Sequence, residues 1–375
     1  MIKAPNMLII GAAGRNVGKT EFACELIRHY AGKCPVIGIK ITTVKERNGK
    51  CPRGGQGCGV CSSLQGDFCI TEETQANHDK DTARMLRAGA DKVFWLRVMA
   101  EHLEKGVAKL LESMPAHAAI VCESNSARNV LEPGLFLVVK EHASGTVKQS
   151  CADVLPYADR VFFFNGDNWD FQPSQIGFAD GEWAIKAEAS AIVLGGGKSR
   201  RMGHDKSMMP IAGRPMIQHI AMQLLEIFPE VIISANDLEK YAFTGLPVIP
   251  DEIEDRGPLM GITSSLAASK NDLNFVTGCD IPHIDNAFIR NLLAQAEGYD
   301  IVIPCNKHGH YEPLLAVYRK SVMDPARKIM DKGGRRIVEL FDHVRVRTVP
   351  MLEEAWYHNL NTPEDLHRFN SQTIG

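Results

Sequence analysis

Three stretches of the chain carry residue types whose spacing could do chemistry. The first is Ala13-Gly14-Arg15-Asn16-Val17-Gly18-Lys19-Thr20, which follows an apolar run and opens a segment of helical spacing. It departs from the pattern G-x-x-x-x-G-K-[ST] in having Ala at the first Gly position, with Gly14 immediately after. In such a loop the backbone N–H groups and the helix N-terminus cradle phosphates. Lys19 would reach the outer phosphates, and the Thr20 hydroxyl would ligate Mg²⁺. Glu123, ending the strand-like run 119–122, is the carboxylate best placed near such a metal, with Asp79 and Asp81 as further candidates.

The second stretch reads Leu194-Gly195-Gly196-Gly197-Lys198-Ser199-Arg200-Arg201-Met202-Gly203-His204-Asp205-Lys206. Glycines after a strand let the backbone approach a phosphate chain with its N–H groups turned inward. Lys206, with one or both of Arg200 and Arg201, could supply positive charge to a triphosphate.

The third stretch is a cysteine cluster. Four of the ten cysteines, Cys51, Cys58, Cys61 and Cys69, fall within residues 51–69. Cys58-Gly-Val-Cys61 is a compact knuckle, and two further thiolates could complete a tetrahedral site for Zn²⁺ or an iron–sulfur cluster. The competing reading is a flexible Gly-rich loop with free thiols.

Composition bounds what these groups can serve. A 375-residue chain with 45% hydrophobic and 23% charged residues is ordinary globular protein, long enough for two domains. A formal charge of −3 leaves no global basic footprint, so nucleic acid is not an expected partner. No apolar run is long enough to span a membrane. The N-terminal apolar stretch runs straight into the phosphate-loop pattern and is read as a strand, not a signal peptide, which makes a cytoplasmic location the expectation.

The elements that must hold these groups alternate. Residues 7–10, 36–42, 93–96, 118–122, 135–139 and 160–164 read as strands, and 20–30, 80–90 and 102–113 as helices. Residues 165–187 lose the apolar pattern and carry turn formers, including Asn165-Gly166-Asp167-Asn168, Pro173-Ser174 and Asp180-Gly181. The alternation then restarts: strands at 191–194, 231–234, 275–278, 300–304 and 313–318, and helices at 216–227, 259–268 and 287–296. The expected fold class is α/β in two domains. Residues 1–165 form an N-terminal P-loop NTPase-like parallel sheet with a Cys-rich insert at 48–70. Residues 166–187 are a linker, and 188–375 form a second α/β domain.

The run Gly-Gly-x-x-Ser-x-Arg-Met-Gly-x-Asp-Lys resembles the signature of the molybdenum cofactor guanylyltransferases (the MobA family), nucleotidyltransferases with a Rossmann-like fold. The resemblance continues in order through Asn236, Pro250-Asp251, Gly257-Pro258-Leu259-Met260-Gly261, Cys279-Asp280-Ile281-Pro282, Glu312-Pro313-Leu314 and Asn359-Leu360-Asn361-Thr362-Pro363. It implies transfer of GMP from GTP to molybdopterin with release of pyrophosphate. It also implies Lys206 on the phosphates, Asp280 as the Mg²⁺ ligand, Asn236 and Asp251 at the guanine and ribose, and Asn359 and Asn361 at the pterin substrate or metal shell. Arg200, Arg201, Arg335 and Arg336 could receive the substrate phosphate, or be solvated surface.

The first half resembles the MobB family, GTP-binding adaptors of molybdenum cofactor synthesis. The likeness rests on the phosphate loop, Lys40, Asp81-Thr82-Ala83-Arg84-Met85-Leu86-Arg87-Ala88-Gly89-Ala90 and Glu123-Ser124-Asn125-Ser126. Where that family has a His-rich stretch, Thr42-Thr43 stand here. The whole chain then reads as a fusion of the two families. The rivals are a cytidylyltransferase making the cytosine dinucleotide, and a nucleotide-regulated carrier that passes cofactor to apo-molybdoenzymes or to other synthesis proteins. A sugar-phosphate nucleotidyltransferase shares only the glycine-rich loop.

Overall fold

A computed structural model describes residues 1–14, 17–44, 64, 66–141, 147–195, 205–211 and 213–351. The chain divides into two compact units, Met1–Ile185 and Lys186–Gly375.

In the first unit the elements run β1 (Ile2–Ala12), α1 (Lys19–Tyr30), β2 (Val36–Val44), β3 (Phe68–Glu72), α2 (Asp81–Arg87), β4 (Lys92–Met99), α3 (Leu103–Leu111), β5 (Ala119–Glu123), β6 (Leu131–Glu141), α4 (Gln149–Ala152), β7 (Arg160–Phe164), β8 (Ile176–Ala179) and β9 (Glu182–Ile185). Among the described residues seven strands form one sheet in the order β3-β4-β2-β5-β1-β6-β7, parallel except for β3, which runs antiparallel to β4 at the edge. The inner strands are buried on both faces, as Met7–Ile10 and Ala119–Cys122 are. That is why they read as continuous apolar runs and not as alternation.

The segment expected as a linker, 166–187, is a correction. Residues up to Ile185 belong to the first unit. Phe171, Ile176 and Trp183 are fully buried in the same cluster as Phe22, Tyr30 and Phe162. Trp183 stacks edge-on against Tyr30, with ring centroids 5.0 Å apart, and its indole Nε1 donates to the Asn6 carbonyl at 2.9 Å. The Tyr30 hydroxyl donates to the Ile176 carbonyl at 3.0 Å. The Asp180-Gly181 turn, with φ of 52° and 76°, joins β8 to β9 as a tight hairpin. The strands are four residues each, too short for alternation to stand out beside the surrounding turn formers.

The second unit runs β10 (Ser190–Leu194), β11 (Pro210–Ile211), β12 (Arg214–Pro215), α5 (Met216–Leu225), β13 (Glu230–Ser234), α6 (Leu238–Tyr241), β14 (Val248–Ile249), α7 (Pro258–Ala268), β15 (Leu273–Gly278), α8 (Asn286–Ala294), β16 (Ile301–Cys305), β17 (Leu315–Arg319), α9 (Met323–Asp331) and β18 (Val346–Pro350). Seven of its described strands form a sheet in the order β14-β13-β10-β15-β17-β16-β18, and β11 pairs with β12 in a separate small hairpin. β10 lies parallel to both β13 and β15, whereas β17 runs antiparallel to β15 and β16. Apolar clusters cover both faces. No helix among the described residues is long and apolar enough to cross a membrane.

The hairpin gives a direct test. Trp183→Ala should destabilise the first unit by about 3–5 kcal/mol, the usual cost of emptying a buried aromatic site. A 1–165 fragment should fail to fold cooperatively in thermal melts. A fragment that melts like the 1–185 unit would return the hairpin to the status of a linker.

Candidate active site

The parallel register of the second unit brings three chain exits to one edge. Leu194 at the end of β10 is level with Ser234 of β13 and Gly278 of β15. Gly195, Asn236 and Asp280 therefore leave the sheet side by side, at the carboxyl ends of the strands, where open α/β sheets hold ligands. The antiparallel β17 starts at this same edge, because Leu315 pairs with Thr277. Glu312-Pro313-Leu314 thus flanks the site, tied down by the Leu314 carbonyl accepting from Gly278 N and by the buried Tyr318 hydroxyl donating to the Pro313 carbonyl.

Lys206 and Asp280 are brought together. The Lys206 ammonium lies 3.8 Å from an Asp280 carboxylate oxygen, with side-chain exposures of 16% and 33%. Both are therefore partly open to solvent. Gly278 matters here: a Cβ on it would lie 2.7 Å from Asp280 Oδ1, so glycine makes room for the carboxylate to fold back against the strand. The neighbouring Cys279 thiol is pushed up to about 12 by burial, with the Asp280 and Asp205 carboxylates adding to the effect. It stays protonated and is no nucleophile at neutral pH.

Asn236 and Asp251 also meet. Asp251 N donates to Asn236 Oδ1 at 2.8 Å, and Asn236 Nδ2 donates to the Asp251 carboxylate at 3.4 Å. Burial raises the Asp251 pKa; the Asn236 hydrogen bond works against that shift and Glu254 adds to it. Arg335 follows α9, and its carbonyl lies beside Gly257 at the start of α7. Arg336 N donates to Glu339. Gly196, Gly197, Ser199, Arg200 and Arg201 lie outside the described residues, as do Asn359 and Asn361.

Sequence reasoning missed Lys240 and Tyr241. Lys240 forms an ion pair with Asp205, and the Tyr241 hydroxyl reaches Gly195 and Ser207. Both residues sit on a helix of four residues, too short to register as periodicity.

In the first unit Gly14, Val17 and Gly18 lie in the β1–α1 connection, and Lys19 and Thr20 open α1. Gly18 caps α1 in the left-handed region, with φ 71°. Asn125 grips Ala12 by accepting from its N–H at 2.8 Å and donating to its carbonyl at 3.0 Å. Lys148 donates to the Gly14 carbonyl at 2.5 Å.

Glu123 ends β5 between β1 and β2, level with Ile10 and Lys40. Its carboxylate is buried, 3.7 Å from the Lys19 ammonium and 4.0 Å from that of Lys40, and among the described residues neither oxygen has a hydrogen-bond partner. Asp81 joins this group through an ion pair with Lys40. Asp79 does not, for it is exposed and pairs with Arg87. Arg15 and Asn16 lie outside the described residues.

Of the cysteine cluster, Cys69 sits on the edge strand β3, where the Arg97 guanidinium lies 3.3 Å from its sulfur. Cys51, Cys58 and Cys61 lie outside the described residues. Among the described residues no group of three or more His, Cys, Asp or Glu could hold a metal ion.

Comparison with known proteins bears on the second unit. Residues 191–347 match the MobA-like NTP transferase domain. The chain is 36% identical over 188 residues to a probable molybdenum cofactor guanylyltransferase of Pelotomaculum thermopropionicum, an alignment covering 48% of this chain and 90% of that protein. It is 32% identical over 186 residues to the corresponding protein of Carboxydothermus hydrogenoformans, covering 48% and 93%. The solved structure of molybdopterin-guanine dinucleotide biosynthesis protein A from Archaeoglobus fulgidus aligns with 49% of this chain and 98% of its own, at 24% identity and a TM-score of 0.44. Through its C-terminal half, the chain belongs to the molybdenum cofactor guanylyltransferase family.

Proposed function

We infer that the C-terminal unit transfers GMP from GTP to the terminal phosphate of molybdopterin and releases pyrophosphate. The observation that carries this reading is the Lys206–Asp280 pair at the edge where β10, β13 and β15 end. A phosphate oxygen of the pterin substrate must attack the α-phosphorus of GTP in line, against like charge. The new P–O bond forms as the α–β bridge breaks and pyrophosphate leaves. Little covalent chemistry is left for the protein, so its task is positioning and charge neutralisation.

The Lys206 ammonium neutralises phosphate oxygens where the chain re-enters the sheet edge. The Asn236–Asp251 pair offers an amide and a carboxylate to the nucleoside end of GTP. Asp280 is a hard, half-exposed oxygen donor, and Mg²⁺ asks for one or two carboxylates with phosphates and water making up the rest, so the residues present fit that ion. When bound, Mg²⁺ supplies charge neutralisation at the reacting phosphates.

For the first unit we propose a nucleotide site of the GTP-binding adaptor type. Support comes from Glu123. A buried carboxylate with no hydrogen-bond partner among the described residues is costly unless a ligand or ion completes its surroundings. Lys19 and Thr20 at the start of α1 would meet the phosphates, and Thr20 with Glu123 would hold Mg²⁺ beside them. For the Cys51, Cys58, Cys61 and Cys69 spacing we propose one Zn²⁺ per chain, with an iron–sulfur cluster as the alternative outcome.

The function is tested by incubating the protein with molybdopterin and either GTP or CTP, and identifying the product. Guanine dinucleotide and pyrophosphate are expected from GTP only, and Asp280→Asn should lower turnover by about 10² or more. Cytosine dinucleotide as the main product would overturn the reading. For the first unit, Lys19→Ala should remove one of two GTP sites in a binding isotherm; an unchanged isotherm would discard the N-terminal site. Metal analysis of anaerobically purified protein should find about one Zn²⁺ per chain, released when the thiols are titrated. Below about a tenth of an equivalent of any transition metal, the insert is a plain loop.

A further inference from the structure

The Asp205, Ser207, Lys240 and Tyr241 side chains form a polar network that the transfer chemistry does not itself require. Tyr241 ends α6 and is 1% exposed, within the apolar cluster that also holds Met216, Ile217 and Val231. Its hydroxyl lies 2.8 Å from the Gly195 carbonyl oxygen, to which it donates, and 2.9 Å from Ser207 Oγ. The Ser207 amide and hydroxyl lie 3.1 and 2.7 Å from Asp205 Oδ1. Lys240 pairs with the other Asp205 oxygen and lies over the Tyr241 ring, 4.7 Å from its centroid. Burial raises the Asp205 pKa, but the Lys240 and Ser207 hydrogen bonds outweigh it and hold the carboxyl below its ordinary value.

We propose that Tyr241, acting with Ser207, is a positioning residue that ties Gly195, at the end of β10, to the segment carrying Lys206, and so sets where the Lys206 ammonium meets GTP. The proposal rests on the guanylyltransferase reading and deepens it. A single hydroxyl oxygen touches both Gly195, where the chain leaves β10, and Ser207, the neighbour of Lys206. Holding Lys206 in place beside Asp280 before GTP arrives spares ordering of that side chain on binding.

Three features single the hydroxyl out. First, phenylalanine would fill the apolar site equally well, and a buried hydroxyl is tolerated only where it is bonded. Second, a Cβ at position 195 would lie 3.2 Å from the Tyr241 ring and 3.3 Å from its oxygen, so the first glycine of the motif is what admits the tyrosine. Third, Lys206, whose ammonium faces Asp280, stands between the two residues of the network that are hydrogen-bonded to each other, Asp205 and Ser207. The same short segment begins at Asn236, which is bonded to Asp251. The network therefore links the phosphate end of the site to its nucleoside end.

The test compares Tyr241→Phe, Ser207→Ala and the double variant in the full chain, below their melting temperatures. Tyr241→Phe should raise KM for GTP about tenfold, as losing a buried hydrogen bond does, with kcat within about threefold and KM for molybdopterin unchanged. The double variant should be no worse than about the poorer single one, because the two hydroxyls act as one unit. A two-site GTP isotherm, in which Tyr241→Phe weakens one site and spares the other, reads the same effect without turnover. Wild-type KM and affinity with only a lowered Tm would overturn the proposal and leave a core hydroxyl. A wild-type chain that binds GTP but makes no dinucleotide would instead sink the guanylyltransferase reading, and the isotherm alone would then judge Tyr241.

Discussion

The parallel hydrogen bonding of β10 to both β13 and β15 is the constraint on which the C-terminal site depends. Parallel neighbours end at the same edge, so residues far apart in the chain emerge together: Gly195, Asn236 and Asp280. A one-residue slip of β15 against β10 would turn its side chains to the opposite face and shift Asp280 relative to the chain leaving β10, and a slip of β13 would do the same to Asn236. The antiparallel β17 does not disturb this, since it contributes its beginning where its neighbours contribute their ends.

The two units treat acidic groups in opposite ways. Asp280 is partly exposed, with the Lys206 ammonium nearby, so its charge is shared between solvent and a cation. Glu123 is buried at the end of β5, with lysines near but, among the described residues, no hydrogen bond to either oxygen. A buried acid of the second kind costs stability until a cation or donor completes its surroundings.

The alternation of strands and helices was legible because buried parallel strands are short continuous apolar runs between helices of clear spacing. The runs at 7–10, 119–122, 191–194 and 275–278 all became inner strands. Edge and accessory elements were not legible. β3 pairs on one side only and carries a mixed pattern, Phe68-Cys-Ile-Thr-Glu72. α9 and β18 complete the second unit beyond the last expected strand, in stretches rich in charge. The hairpin of β8 and β9 was passed over because its turn residues outweighed Ile176, Phe178 and Trp183, and only their burial against Tyr30 shows where they belong.

The sequence by itself determined the chemistry on offer, because it depends on residue type and local spacing. Examples are the glycines before Lys206, the Asp280 and Asn236 that follow apolar strands, and the glycine and lysine that open α1. Tertiary structure decided which of these groups meet. It joined Asp81, and not Asp79, to Glu123 through Lys40. It set Lys206 against Asp280, and it brought Tyr241 beneath Gly195. Such pairings join residues tens of positions apart, and their distances follow from strand register and helix packing, which no local pattern encodes.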